Sequence, residues 1–177
     1  MIVHHYGEDL FSVLNKPWGG KVLFAQCISA DLAMGAGIAV QFNQYFNCKN
    51  ILQDSYTANN RRPHVGTAIL VNKRVFCLVT KDNHQDKPSY NSFRKSINAM
   101  VEIHENISFP IWYERYDYRY YHAYEDDRYD YLAIPEIGCG LDKLEWEKVE
   151  AIWKPRLKRR FKRIDVYHPK KNIVITG

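Results

Sequence analysis

The sequence contains no CxxC pair. Its four cysteines, Cys27, Cys48, Cys77 and Cys139, are widely spaced, which argues against a zinc site or a disulfide frame and for reduced thiols. Long apolar runs are absent as well. The longest, such as Gly35–Val40 and Thr67–Val71, are far too short to cross a bilayer, so no membrane partner is expected. The first residues include His4, His5, Glu8 and Asp9 and do not read as a signal peptide. With the thiols, this predicts an intracellular protein, cytoplasmic or nuclear. There is neither a GxGxxG fingerprint nor a Walker loop. The seven histidines show no metal-ligand spacing beyond the adjacent His4 and His5. Those two point to opposite faces if they lie on a strand, so no metal is predicted.

Acid is missing from one segment only. Lys154–Arg163 holds seven bases and no acid, whereas the rest of the chain has 18 bases against 20 acids. The net charge of +5 is therefore a local excess on a nearly neutral body. The run reads as a solvated helix end with its loop, as a nuclear-localisation signal, or as a nucleic-acid contact whose affinity would fall with salt. What is present is ordinary for a folded protein: 177 residues, 46% hydrophobic and 25% charged. That is one domain with one sizeable core, expected to be a monomer, and it excludes a disordered or collagen-like chain.

Strand and helix patterns alternate. Ile2–Tyr6, Lys21–Ala25, Gly66–Val71, Val75–Val79, Asp130–Ile134 and Ile164–Tyr167 read as strands, with Asn72-Lys73-Arg74 as a hairpin connection. Helices are predicted over Gly35–Phe46, Pro88–Glu102 and Asp142–Trp153, the last interrupted at Pro155. This alternation predicts an α/β layered fold with a mixed, largely parallel sheet. A Tyr-rich insertion at about 106–129 breaks the pattern. Eight of the 13 tyrosines fall between Trp112 and Tyr131, mixed with both signs of charge. It reads as a packed insertion or partner surface, or as a platform for stacked bases.

Two glycine-bearing stretches each follow a strand and open a helix. The first runs from Ser29 through Met34, Gly35, Ala36, Gly37, Ile38 and Ala39 to Val40. Small residues there let a ligand approach the backbone, and free amides at a helix N-terminus attract phosphate. Tight helix–sheet packing explains the same residues. The second is Ile134-Pro135-Glu136-Ile137-Gly138-Cys139-Gly140-Leu141-Asp142. Two such loops can meet at the carboxyl ends of a parallel sheet. Locally, Asp142-Lys143-Leu144-Glu145 has capping-box spacing, Lys81 reads as a solvated lysine and Ser29 as a turn residue. Local reading thus ends at a phosphate-binding α/β domain.

Taken in order, Gly7-Glu8-Asp9-Leu10-Phe11, Ala25-Gln26-Cys27-Ile28-Ser29 through Val40, Leu78-Val79-Thr80-Lys81, Lys87-Pro88-Ser89-Tyr90 and Ile134–Asp142 with Leu144 and Trp146 resemble a macrodomain, in particular the terminal ADP-ribose protein glycohydrolases. The combination of a Thr-Lys strand end with Gly-Cys-Gly-Leu-Asp carries the likeness. The insertion and the end beyond His168 lie outside it. The resemblance implies a three-layer α/β/α fold with a cleft for ADP-ribose. It implies that Asp9, beside Leu10, accepts from the adenine amino group. It further implies that the Met34–Ala39 loop and Ile137, Gly138, Cys139, Gly140 and Leu141 wrap the diphosphate and distal ribose near Ser29 and Thr80. Tyr167 would flank the adenine, or serve as a core aromatic.

In that subgroup the lysine matching Lys81 attacks the anomeric carbon of the distal ribose, and the aspartate matching Asp142 helps resolve the lysyl adduct. No cofactor is required. The expected partners are ADP-ribose and ADP-ribosylated protein or nucleic acid. The linkages are carboxylate esters, O-acetyl-ADP-ribose, ADP-ribose 1″-phosphate or modified nucleobases. The same pocket without turnover would be an ADP-ribose reader. Two departures bear on this. Glu8 competes with Asp9, and Gln26 stands where related chains often have histidine. The Asn-Ala-Ala-Asn motif and the Gly-Gly-Gly-Val loop of other macrodomains are absent, which makes activity depend on Lys81 and Asp142.

Overall fold

The computed structural model describes residues 1–108 and 130–170. Most of the Tyr-rich segment, 109–129, and the last residues, 171–177, lie outside them. Six strands form one sheet: β1 (Ile2–Tyr6), β2 (Val22–Ser29), β3 (Ala68–Val71), β4 (Val75–Lys81), β5 (Tyr131–Pro135) and β6 (Arg163–His168). Their order is β1-β6-β5-β2-β4-β3. All neighbours are parallel except the β3–β4 hairpin. That hairpin turns through Asn72 and Lys73, both at positive φ, the backbone twist a tight antiparallel connection needs.

The central strands are apolar on both faces because helices cover both. Val22, Phe24 and Ile28 of β2 with Val75, Cys77 and Val79 of β4 face one core. There they meet Phe42 and Phe46 of α1 (Ile38–Phe46) and Leu52 of α2 (Cys48–Ser55). The alternate residues Leu23 and Ala25, with Phe76 and Leu78, face the second core. That core holds Phe93, Ile97 and Met100 of α3 (Tyr90–Ser108) and Val149, Ile152 and Trp153 of α4 (Trp146–Leu157). The result is a three-layer α/β/α arrangement with a mixed, largely parallel sheet, as the sequence predicts.

Several boundaries differ from the sequence reading. α1 begins at Ile38, leaving Gly35, Ala36 and Gly37 as loop. α3 continues six residues past Glu102, into the start of the expected insertion at Asn106. α2 is not predicted, although Cys48, Ile51 and Leu52 stand at helical spacing; only Cys48 and Leu52 are buried. α4 starts at Trp146 with Glu145 at its N-cap position, so Asp142 caps nothing. It also runs through Pro155. The carbonyl that Pro155 leaves without a helical donor is that of Ala151, an exposed residue.

The basic run is largely partnered. Lys154 pairs with Glu150, Arg160 with Glu105 and Lys162 with Asp130. Arg156 holds Asn98 and the Ile152 carbonyl. Arg163 grips the buried Asp165 through two nitrogens and lies over the Trp18 ring.

Candidate functional site

β2 and β5 pair only over Val22–Phe24 and Tyr131–Ala133. Past that point β5 stays with β6 up to Pro135↔Tyr167, and β2 stays with β4. The two strands separate, and a cleft of about 1060 Å³ opens at the carboxyl ends of the parallel strands. This is where open α/β sheets take ligands, and the volume suits a dinucleotide-sized molecule.

The cleft wall includes Asp9, Leu10, Ser29, Met34–Ala39, Lys81, Ile137–Asp142 and Tyr167. Thr80 is the exception among the residues singled out in the sequence. Its side chain is buried behind the wall and does not reach the cleft. The reason is a bulge in the β2–β4 pairing: Ile28 sits opposite Val79 but Ser29 opposite Lys81, so Thr80 is the extra residue. The bulge also brings Lys81 beside the end of β2.

Two glycines are held by backbone geometry. Gly37 and Gly138 have φ of +61° and +74°. A Cβ on Gly37 would lie 3.2 Å from Leu141 Cδ1, so the two loops face each other at close range. Gly35 and Gly140 carry no such constraint: a Cβ on Gly140 would meet nothing within 4 Å. Met34, without glycine's freedom, also takes positive φ (42°), a strained state that the surrounding loop must enforce. α1 opens from Gly37 directly on the cleft wall, so the positive end of its dipole faces the cleft.

Lys81 Nζ donates to Asp142 Oδ1 at 2.5 Å and to the His84 carbonyl at 3.0 Å. The two side chains are 12% and 13% exposed, which makes this a largely desolvated ion pair rather than a surface one. Asp142 is delivered by a loop bonded to itself. The Leu144 amide donates to the Gly138 carbonyl and the Lys143 amide to that of Gly140. The Glu145 amide donates to the Tyr90 hydroxyl of α3.

Asp31 does not line the cleft but holds two residues that do, Ser29 and His84, and the sequence reading assigned it no role. Its Oδ1 accepts from Ser29 Oγ and the Ala33 amide, and its Oδ2 accepts from the His84 amide and shares a 2.8 Å contact with His84 Nδ1. Burial opposes its ionisation, but the bonds from Ser29, His84 and Ala33 prevail and hold it well below the usual carboxylate range. An aspartate followed two residues on by a bonded amide is a local turn signal, legible in the sequence. The reach to His84 depends on β2 and β4 being neighbours.

Elsewhere on the cleft wall, Glu136 and His168 are two residues to which the sequence reading assigned no role. His168 Nδ1 contacts Glu136 Oε1 at 2.6 Å, and its Nε2 contacts His4 Nδ1 at 2.8 Å. Both Glu136 and His168 line the cleft. Burial, then the neighbouring His168, lowers the His4 pKa. Tyr167 stacks on His5 at 4.4 Å and is mostly buried, with its hydroxyl pKa raised to about 12 by burial and then by Asp165. It is a wall of the cleft, with one ring face already occupied. Asp9 Oδ1 accepts from the Phe11 amide and caps a short 3-10 turn. Glu8, its competitor, sits 3.5 Å from His5 Nδ1.

The wall also carries two thiols. Burial, then the Asp142 charge, raises the Cys27 pKa strongly, while burial followed by Glu136 and Asp142 pushes Cys139 up to about 12. Both therefore remain thiols at neutral pH and make poor nucleophiles. Among the described residues, no group of three or more His, Cys, Asp or Glu is arranged to hold a metal.

No family-level sequence model matches the chain. Individual proteins do. The bovine (Bos taurus) ADP-ribose glycohydrolase OARD1 is 33% identical over 141 residues, covering 80% of this chain and 78% of that protein. The human ADP-ribose glycohydrolase OARD1 is 32% identical over 128 residues, 72% and 69% of the two chains. Among solved structures, the macrodomain of Mycobacterium tuberculosis DarG superposes with a TM-score of 0.67 over 96% of this chain and 97% of that one, at 15% identity. Thermosipho africanus DarTG, solved in complex with ADP-ribose, gives 0.58 over 84% and 38%, at 16% identity.

Proposed function

The chain belongs to the macrodomain ADP-ribose glycohydrolases, and from that footing we propose that it binds ADP-ribose in the β2–β5 cleft and hydrolyses the bond from its distal ribose to a carboxylate acceptor. The observation that carries this reading is the Lys81–Asp142 pair, an amine and an acid in contact on one wall of a dinucleotide-sized cleft. In this reading the glycine loops on either side hold the diphosphate through backbone amides, and Asp9 and Tyr167 lie at the adenine end.

Lys81 Nζ releases to solvent the proton that neither Asp142 nor the His84 carbonyl holds, and attacks C1″ of the distal ribose through the lone pair this leaves. The N–C1″ bond forms, the C1″–O bond to the acceptor breaks, and the acceptor leaves as a carboxylate. Loss of a second proton and opening of the sugar ring give a Schiff base. Asp142 then accepts a proton from water, which adds to that carbon. Asp142 passes that proton to the nitrogen, and departure of the amine regenerates Lys81 and frees ADP-ribose, whose sugar ring closes again. Carboxylate esters fit this scheme best because the carboxylate is a good leaving group that needs no acid assistance.

A second reading is a reader that binds without turnover. It draws on the same ion pair: an ammonium that stays closed on Asp142 with ligand bound has no lone pair to attack. The test is release of ADP-ribose from a glutamate-linked mono-ADP-ribosyl protein by the wild type, Lys81→Ala and Asp142→Ala. Loss of release in both variants supports the hydrolase. Equal release by all three removes the lysine chemistry. Micromolar ADP-ribose binding by calorimetry with no release by the wild type establishes the reader.

A further inference from the structure

Lysine has a flexible four-carbon stem and loses much rotamer freedom when fixed. Lys81 is nonetheless held by two acceptors in different elements, Asp142 Oδ1 and the His84 carbonyl. The second has no charge and belongs to a loop, so something must hold that loop in register. The structure supplies it in Asp31. One oxygen of its carboxylate takes both the His84 amide and a His84 ring contact, each at 2.8 Å. Its other oxygen is anchored by Ser29 Oγ and the Ala33 amide at the end of β2. The Asp31 amide donates to the Asp82 carbonyl, and the Ala30 amide to that of Lys81. Arg62 ties the Asp82 and Asn83 acceptors from outside.

We propose that Asp31 is a positioning residue for the reaction: through the backbone of His84 it fixes the second acceptor of the Lys81 amine and so sets the direction of the amine's lone pair. The stereochemistry is simple. A neutral amine has two N–H bonds and one lone pair. With one N–H on Asp142 and the other on the His84 carbonyl, the lone pair takes the remaining tetrahedral direction, away from both acceptors. Without the His84 acceptor the amine rotates about its terminal bond and the aim is lost. Misplacement on that scale costs about a hundredfold in rate. This inference rests on Lys81 being the nucleophile.

The experiment compares wild type, Lys81→Ala, Asp31→Ala, Asp31→Asn and His84→Ala. It measures kcat and KM for release from the glutamate-linked substrate, ADP-ribose affinity by calorimetry, thermal midpoint, and the single-turnover rate at which borohydride traps ADP-ribose on Lys81. The expected result for Asp31→Ala is a kcat and trapping rate lowered about 30- to 100-fold, with KM and ADP-ribose affinity within about threefold. Asp31→Asn keeps the size and one oxygen acceptor and recovers part of the loss. His84→Ala keeps its backbone amide on Asp31 and loses only the ring contact, so it falls about three- to tenfold.

Wild-type kcat in Asp31→Ala beside an inactive Lys81→Ala overturns the positioning role while leaving the lysine chemistry standing. Activity of Lys81→Ala equal to wild type removes the lysine chemistry, and this inference with it. A loss in His84→Ala as deep as in Asp31→Ala assigns the role to the ring and overturns the backbone version. A fall in ADP-ribose affinity matching the fall in kcat makes Asp31 a binding residue instead. If Asp31→Ala does not fold, Asp31→Asn decides by the same kcat-against-affinity comparison.

Discussion

Lys81 and Asp142 are 61 positions apart in the chain, and their Nζ and Oδ1 atoms are 2.5 Å apart in the fold. One sits at the carboxyl end of β4; the other sits in the loop between β5 and α4. No local feature links them. Both are only about one-eighth exposed, so their attraction is screened less than that of a surface pair.

A double-mutant cycle on this pair, read by urea unfolding, measures the coupling. Exposed pairs give about 0.2–1 kcal/mol, and fully buried pairs lose about 3–5 kcal/mol when one partner is removed. The expected coupling for Lys81→Ala and Asp142→Ala is about 1–2 kcal/mol, between those limits. Added salt should change it little. A coupling near zero would show the pair to be solvated in solution.

The glycines separate strain from ligand approach. Gly138→Ala places a Cβ at φ +74° and 3.2 Å from Leu144 Cδ1. The expected loss is about 1–2 kcal/mol of stability from the backbone conformation alone. Gly35→Ala and Gly140→Ala meet no close atom and have ordinary backbone angles. They should leave the thermal midpoint within about a degree or two of wild type. If these loops hug a diphosphate, calorimetry should nevertheless show ADP-ribose affinity falling about tenfold or more in both. Unchanged affinity in both would mean that the ligand does not touch these backbones.

Ser96 on α3 is fully buried, and its hydroxyl reaches the Val79 carbonyl of β4 at 2.9 Å and the Ser92 carbonyl at 3.0 Å. Ser96→Ala removes a hydrogen bond joining the helix layer to the sheet. The Val79 carbonyl keeps its bond from the Gly66 amide, so the cost should sit at the low end, about 1 kcal/mol. Chemical denaturation checks this, and no loss would mean that water replaces the hydroxyl.

Cys139 gives a pH test. Its pKa is raised to about 12, first by burial and then by Glu136 and Asp142. A raised pKa keeps the thiol form over the whole neutral range, so alkylation at pH 8 should be far slower than for a free cysteine. The rate should climb about tenfold per pH unit while the thiolate is the minor form. Glu136→Gln removes one of the charges that raises it and should speed alkylation at fixed pH. Rapid labelling at pH 7, traced to Cys139 by mass, would contradict the raised pKa of this half-buried thiol.

The layered fold was legible because it rests on local chemistry. The short, nearly continuous apolar runs of β2 and β4, the helical period of α1 and α3, and turn residues at Asn72 and Lys73 each act over a few neighbours. Misreadings arose where a local rule lost to its surroundings. Asp142 has the spacing of a cap, but the loop from Gly138 to Glu145 bonds to itself and delays the helix to Trp146. Pro155 stays within α4, where the carbonyl it orphans belongs to an exposed residue, Ala151. α2 was missed because eight residues show little more than two turns of the period that Cys48, Ile51 and Leu52 follow.

The sequence by itself placed an amine after a buried strand, an acid after a glycine turn, and small residues that leave the backbone open to approach; its resemblance to a family named that amine and acid as candidates. The tertiary structure alone decided that the amine meets the acid, that Thr80 is turned away by a bulge, and that Asp31 reaches His84. The physical reason is that side-chain contacts of this kind are set by which strands lie side by side and where they part. Strand order and register are fixed by burial of the whole sheet between two helix layers, and no short stretch of sequence contains that information.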